Sequence, residues 1–339
     1  MRAASIKDVA THAGVAVGTV SNVLNNPERV AEKTRARVQS SIAELGFVRN
    51  DVARQLRAGH SRTIGLIVLD IGNPFFSSVS RAAEDAAAED GNAVVLGNSG
   101  HDAQREMHYI DLFEEQRVRG VLISPVAEDT SRLTALAARG TKVVLVDSAS
   151  NSGEFSSVSV DDISGGYLAM KHLLDIGRRR LAFVAGPQQF HQVIDRLTGA
   201  RSAVAEFPDA TLEILQASDL TVLAGRELGD ALVSREREQL PDGLFCSNDL
   251  LALGVIQSLA MLNTLRIPAD VALVGYDDID FAASAVVPLS SIRQPSALIG
   301  KTAVELLAEQ LNDPDAPARS VVFKPELIIR ESTAGSTAE

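Results

Sequence analysis

Apolar residues recur along this chain with two different periods, and the change of period divides it. Near the N-terminus, Ile6, Val9, Ala10 and Ala13 fall on one helical face. Ser5 and Asp8 stand before and within that helix as a capping pair, and Gly14 breaks it. A second helix is predicted over 17–24, with Val20, Val23 and Leu24 inward and Val17, Gly18, Ser21, Asn22 and Asn25 outward. Two short helices joined by Gly14-Val15-Ala16 predict a helix-turn-helix. A third helix over 32–45 places Val38, Ile42 and Leu45 on its inner stripe, ends at Gly46, and leaves Arg35 and Arg37 outward. The short polar face of the second helix suits base edges in a DNA major groove. A plain three-helix bundle with no DNA role fits the same pattern.

From residue 62 onward, apolar runs of strand length alternate with helical stretches. The run 64–69 reads as a buried strand, and 77–90 as a helix with Val79, Ala82, Ala83, Ala86 and Ala87 inward. Strands at 93–96, 120–124 and 143–146 then alternate with helices at 103–117 and 131–139. After Asp161 the pattern restarts, with helices at 163–176, 197–207, 223–235 and 249–262 and strands at 181–185, 212–215, 243–246 and 271–274. A last helix over 297–312 and a strand near 321–329 close the chain. This alternation predicts an α/β fold with doubly wound parallel sheets, and the restart predicts a second lobe of the same kind. Ligands in such sheets sit beyond the carboxyl ends of the strands, here near 70–76, Asp147, Gly186-Pro187, Asn248-Asp249 and Tyr276-Asp277.

Charge sharpens this division. The net charge of the 339 residues is −12, which taken whole argues against a nucleic-acid partner. Residues 1–60, however, carry nine Lys/Arg against five Asp/Glu, while the remainder carries 23 against 39. A basic head on an acidic body suggests that only the head meets an anionic polymer. The single cysteine, Cys246, makes neither an intrachain disulfide nor a cysteine metal site, which fits a reducing, cytoplasmic compartment. The first ten residues lack a signal-peptide core, and no apolar run reaches the ~18 residues of a membrane span. No G-x-G-x-x-G, P-loop, H-E-x-x-H or G-x-S-x-G pattern stands in a suitable context, so no enzyme, cofactor or metal is expected. His101 and His108 read as flanking a solvated helix, and Asp277, Asp278 and Asp280 as a turn.

Ile6-Lys7-Asp8-Val9-Ala10, Gly14-Val15 and Thr19-Val20-Ser21-Asn22-Val23-Leu24-Asn25 closely resemble the headpiece of the lactose-repressor (LacI/GalR) family of bacterial transcription regulators. The resemblance continues through Ala43-Glu44-Leu45-Gly46-Phe47, Asn50 and Ala53-Arg54-Gln55-Leu56-Arg57, and on to about Arg330. It implies a helix-turn-helix headpiece over 1–47 and a hinge helix over 48–61. A periplasmic-binding-protein-like core would follow, its first lobe at 62–160 with 292–322 and its second at 161–291 with 323–332, before a tail at 333–339.

By the same resemblance, Val17, Gly18 and Asn22 read bases, and Thr19, Ser21 and Asn25 contact phosphates or base edges. Many members carry Arg where Asn22 stands, and Asn favours adenine where Arg favours guanine. Asn50, Ala53 and Leu56 belong to the hinge, a segment too short to be stable alone, with Leu56 as the wedge that opens the minor groove. By spacing alone Leu56 reads as an ordinary linker leucine, and only the family match reverses that. Phe75, Phe76, Asp147, Phe190, Gln192, Arg196, Leu220, Asn248, Asp277 and Gln294 match effector positions. Leu220 stands where relatives often place an aromatic ring. Asn248 and Asp277 also fit capping or turn roles, and Phe75 fits the core.

The implied protein is a repressor binding a pseudo-palindromic double-stranded operator as a homodimer. A small effector between the lobes would change the lobe angle and so the DNA affinity. A carbohydrate is the expected effector, with nucleobases and other metabolites as alternatives. The nine residues after Arg330 hold no apolar repeat, so a dimer rather than a tetramer is expected, with no membrane partner. A stand-alone solute-binding protein is the rival for the body alone.

Overall fold

The computed structural model describes residues 4–47, 61–127, 129–150, 153–187, 190–262 and 265–334. The chain forms two compact units, divided between Ser61 and Arg62.

In the first unit, α1 (Ile6–Ala13) opens on a complete capping box. The Asp8 amide donates to Ser5 Oγ, and the Ser5 amide donates to the Asp8 carboxylate at 2.8 Å. Gly14, at φ +63°, ends the helix in the left-handed region that glycine adopts without strain. Helices α2 (Val17–Asn25) and α3 (Glu32–Glu44) follow. Val9, Ala10, Ala13, Val20, Val23 and Val38 form the buried centre, with Leu24, Ile42 and Leu45 packed around it.

The second unit holds two six-stranded sheets. The first contains β1 (Thr63–Val68), β2 (Ala93–Asn98), β3 (Gly120–Ile123), β4 (Lys142–Val146), β5 (Ser156–Val160) and, after a long excursion, β11 (Ser320–Phe323). All of its pairings are parallel, in the order β11-β5-β4-β3-β1-β2. Helices α4 (Pro74–Glu89), α5 (Ala103–Glu115) and α6 (Ser131–Ala138) connect its strands. The second sheet contains β6 (Arg180–Ala185), β7 (Thr211–Gln216), β8 (Gly243–Cys246), β9 (Ala272–Asp277), β10 (Ser290–Arg293) and β12 (Glu326–Ile328). Its order is β12-β10-β9-β8-β6-β7, and only β12 runs antiparallel. Helices α7 (Asp162–Asp175), α8 (His191–Val204), α9 (Val222–Val233), α10 (Asp249–Leu262) and α11 (Asp280–Ala283) accompany it. α12 (Ser296–Asn312) returns to pack on α4, and α13 (Glu331–Ala334) packs on β9. The chain therefore crosses between lobes three times, after β5, β10 and β11.

Several elements differ from the pattern-based expectation, among them the short helices α11 and α13, which it did not include. β5 and β10 are serine-rich and were not predicted. Both are buried because their hydroxyls are bonded: Gln310 Nε2 donates to Ser156 Oγ at 2.8 Å, and Ser291 Oγ donates to Asp249 at 2.7 Å. α8 begins at His191 rather than 197, because the polar residues Gln192 and Arg196 share its buried face with Val193 and Leu197. The single strand expected near 321–329 is two strands in different sheets, separated at Lys324-Pro325, where proline cannot continue a ladder.

Candidate functional site

The first unit presents the outer surface of α2. Val17 (42% exposed), Gly18, Asn22 and Asn25 are solvent-exposed, and Thr19 and Ser21 are half-buried between them. Asn25 Nδ2 donates back to the Ser21 carbonyl at 2.8 Å, which orients the end of this surface. A Cβ at Gly18 would meet nothing within 4 Å, so its smoothness is not imposed by packing. Among the described residues no side chain caps the N-terminus of α2, and a helix N-terminus favours phosphate. Asn50, Ala53 and Leu56 lie outside the described residues.

The second unit contains a cleft between its lobes, at the carboxyl ends of both sheets. Its free internal volume is about 40 Å³. All ten residues matched to effector positions line it: Phe75, Phe76 and Asp147 from the first lobe, Phe190, Gln192, Arg196, Leu220, Asn248 and Asp277 from the second, and Gln294 from the crossover after β10.

Local chain geometry holds these groups. Asn73 caps α4, accepting from the Phe75 amide at 3.0 Å, and Pro74 at the first helical position fixes the turn. Phe75 and Phe76 are thereby set edge to face, 5.0 Å apart. Asp147 follows β4 and Asp277 ends β9, both in left-handed backbone, at φ +55° and +106°, and both line the cleft. Asp277 accepts from Asn73 Nδ2 at 2.9 Å and from Gln294 Nε2 at 2.8 Å, so one carboxylate ties both lobes and a crossover. Gln192 Nε2 donates to the Asp147 carboxylate at 2.9 Å. Arg196 Nε donates to Asp162 at 2.8 Å and its Nη1 to the Ser247 carbonyl at 2.6 Å, while its guanidinium lies 3.6 Å from the Tyr276 ring centre. Asn248 is a capping residue as well as a lining one: it accepts from the Leu251 amide and donates to the Leu220 carbonyl. Phe75 likewise belongs to the core while facing the cleft.

Burial dominates the electrostatics. It pushes the Asp147 carboxyl up to about 8, with repulsion from Asp162 adding to it. It raises Asp277 too, against the pull of Arg196 and the two amide donors. Asp249, behind the cleft, is raised well above the carboxylate range by burial and by Asp277. Burial opposes the charge on Arg196, and Asp162 with its neighbours outweighs that opposition. Among the described residues, the buried atoms Asp147 Oδ1, Gln294 Oε1 and His101 Nδ1 have no hydrogen-bond partner in the protein. These atoms leave hydrogen-bonding positions for a ligand inside apolar walls.

Asn73, Asp162 and His101 were missed from sequence. Asn73-Pro74 carries a cap signature that would have marked the first. His101 corrects an expectation: it lines the cleft rather than flanking a solvated helix, its ring 4.3 Å from Phe190. Its place just past β2 was the available signal. Among the described residues, no cluster could hold a metal ion and no helix is long and apolar enough to cross a membrane.

Comparison with known proteins agrees with both units. Residues 5–50 match the model of bacterial regulatory proteins of the lacI family, and residues 170–333 match a periplasmic binding protein-like domain. The HTH-type transcriptional repressor PurR of Aliivibrio fischeri (strain MJ11) is 34% identical over 335 residues, covering 97% of this chain and 98% of that protein. Among solved structures, the Lac repressor dimer bound to operator and the anti-inducer ONPF superimposes with a TM-score of 0.83 at 26% identity, over 98% of this chain and 99% of that one. The transcriptional regulator CelR in complex with cellobiose gives 0.71 at 29% identity, over 97% and 99%.

Proposed function

The chain belongs to the lacI family of bacterial regulatory proteins, and from that premise we propose that it is a transcriptional repressor whose operator affinity is set by a small carbohydrate bound in the interlobe cleft. The observation that carries the effector class is the pairing of unpartnered, buried oxygens on Asp147 and Gln294 with the phenyl walls of Phe75, Phe76 and Phe190. Sugar hydroxyls both donate to and accept from such groups, and sugar C–H faces pack on such rings. Arg196, Asn248 and Asp277 complete the polar rim, and Gln192 orients Asp147. A nucleobase is the second reading, favoured by the same three rings. Leu220 offers no ring to stack on, which favours the carbohydrate.

In this reading Val17, Gly18 and Asn22 meet base edges, and Thr19, Ser21 and Asn25 meet the backbone of a pseudo-palindromic operator. Asn50, Ala53 and the Leu56 wedge act in the minor groove. The assembly is a homodimer, as in the Lac repressor structure, because a two-fold protein matches a two-fold site. The protein acts in the cytoplasm and binds rather than transforms its ligand. The division into headpiece (1–47), hinge (48–61) and two lobes built from discontinuous segments follows from the same family membership and is supported by the two sheets of the core.

Calorimetric titration with a panel of monosaccharides, disaccharides and nucleobases tests the effector class. At least one sugar is expected to bind, and Asp277→Ala is expected to weaken it by tenfold or more, since a buried bond to a charged group contributes about 1.5–3 kcal/mol. Binding of nucleobases alone, or sugar binding indifferent to Asp277→Ala, contradicts the assignment.

A further inference from the structure

His101 reaches the cleft by an unusual route. It follows β2 in left-handed backbone, at φ +60°, held there by its amide, which donates to the Leu69 carbonyl at 3.2 Å. Its ring comes from the first lobe and meets Phe190 of the second, with centroids 4.3 Å apart and planes at 38°. Its Nδ1 is buried, and among the described residues nothing bonds it. Both features work against stability. A non-glycine residue in this backbone region costs about 1 kcal/mol or more, and a buried unbonded nitrogen about 1–3 kcal/mol. Packing against Phe190 does not require either, because a phenyl or isobutyl group would fill the same space without a nitrogen.

We propose that His101 is a specificity-determining residue, whose Nδ1 hydrogen-bonds a hydroxyl of the bound carbohydrate. The inference rests on the cleft being a carbohydrate site. A neutral imidazole nitrogen either donates or accepts according to tautomer, and a hydroxyl complements both. Asp70 and Asp219 are the carboxylates whose charge reaches the imidazole, and burial opposes them by favouring its neutral form.

Two substitutions separate the nitrogen from the ring. His101→Phe keeps a ring for Phe190 and deletes the nitrogen. His101→Asn deletes the ring, keeps a polar atom near the position of Nδ1, and tolerates the positive φ. Full-length protein would be titrated calorimetrically with D-ribose, D-glucose, D-galactose and cellobiose. For a sugar that binds the parent chain, Kd is expected to rise about tenfold or more in His101→Phe and less than about threefold in His101→Asn. Parent-like affinity in His101→Phe, or a larger loss in His101→Asn, overturns the proposal while leaving the carbohydrate site intact. Failure of all four sugars to bind the parent chain overturns the carbohydrate reading and this inference together. If His101→Phe does not fold, ¹⁵N-histidine spectra of the parent chain decide: the Nδ1 resonance moves on sugar addition, and an unmoved resonance refutes the contact.

Discussion

Arg196 carries two duties that one pair of variants can separate. It and Asp162 are each more than nine-tenths buried, and they meet at 2.8 Å. Arg196→Met deletes that pair, the bond to the Ser247 carbonyl and the stack on Tyr276, and leaves Asp162 charged in an apolar interior. Two unit charges about 4 Å apart attract by about 4 kcal/mol at an effective dielectric of ~20. Breaking one side of a buried pair typically costs about 3–5 kcal/mol. Urea unfolding of the full chain should therefore lose about 3–5 kcal/mol in Arg196→Met. Adding Asp162→Asn removes the orphaned charge and should recover more than half of that loss. Effector affinity should stay low in the double variant, because the guanidinium lining the cleft is still missing. A single variant within about 1 kcal/mol of the parent would refute the buried-pair argument. Recovery of effector affinity along with stability would refute the ligand role of Arg196.

Further predictions concern the cleft, the helix packing and the DNA surface. Asp147 binds its proton in the folded chain up to about pH 8 and releases it near 3.8 when unfolded, so it contributes stability below pH 4 that is lost as pH rises to about 8. At about 1.4 kcal/mol per pH unit the contribution is capped near 6 kcal/mol, and Asp147→Asn should flatten the fall of unfolding free energy between pH 4 and 9; an unchanged slope contradicts it. Gly199→Ala should lower the melting temperature, although helix propensity alone favours alanine by about 0.5–1 kcal/mol. A Cβ there would lie 1.9 Å from the Ile163 carbonyl and 2.6 Å from the Tyr167 amide, forcing α7 and α8 apart, so a raised melting temperature would contradict the packing. Asn22→Arg should shift one position of each half-site from adenine toward guanine when binding sites are selected from randomised duplexes, and an unchanged motif would remove Asn22 from base readout.

Much of the fold is legible because burial writes itself into apolar periodicity. The capping box of α1, the inward valines of the headpiece and the apolar runs of β1, β3 and β8 all follow from it. β5 and β10 escape for a physical reason: their buried serines are made acceptable by hydroxyl bonds to Ser320, Gln310 and Asp249, partners 42 residues away at the nearest that no local pattern reveals. The ten effector positions come from family resemblance, and strand ends alone would have offered only Asp147, Asn248 and Asp277 with the 70–76 loop. His101 and Asp162 matter through contacts made only in three dimensions, one across the lobes and one between α7 and α8. The net charge of −12 likewise hides its division between a basic head and an acidic body.

On the proposed function, the cleft ligand controls DNA binding. The most direct test is fluorescence anisotropy of a selected operator duplex with full-length protein, measured at fixed salt with and without saturating sugar identified by calorimetry. Kd for the duplex should change by about tenfold or more, within the usual range of allosteric coupling. Equal affinities within about twofold, with the sugar demonstrably bound, would contradict it.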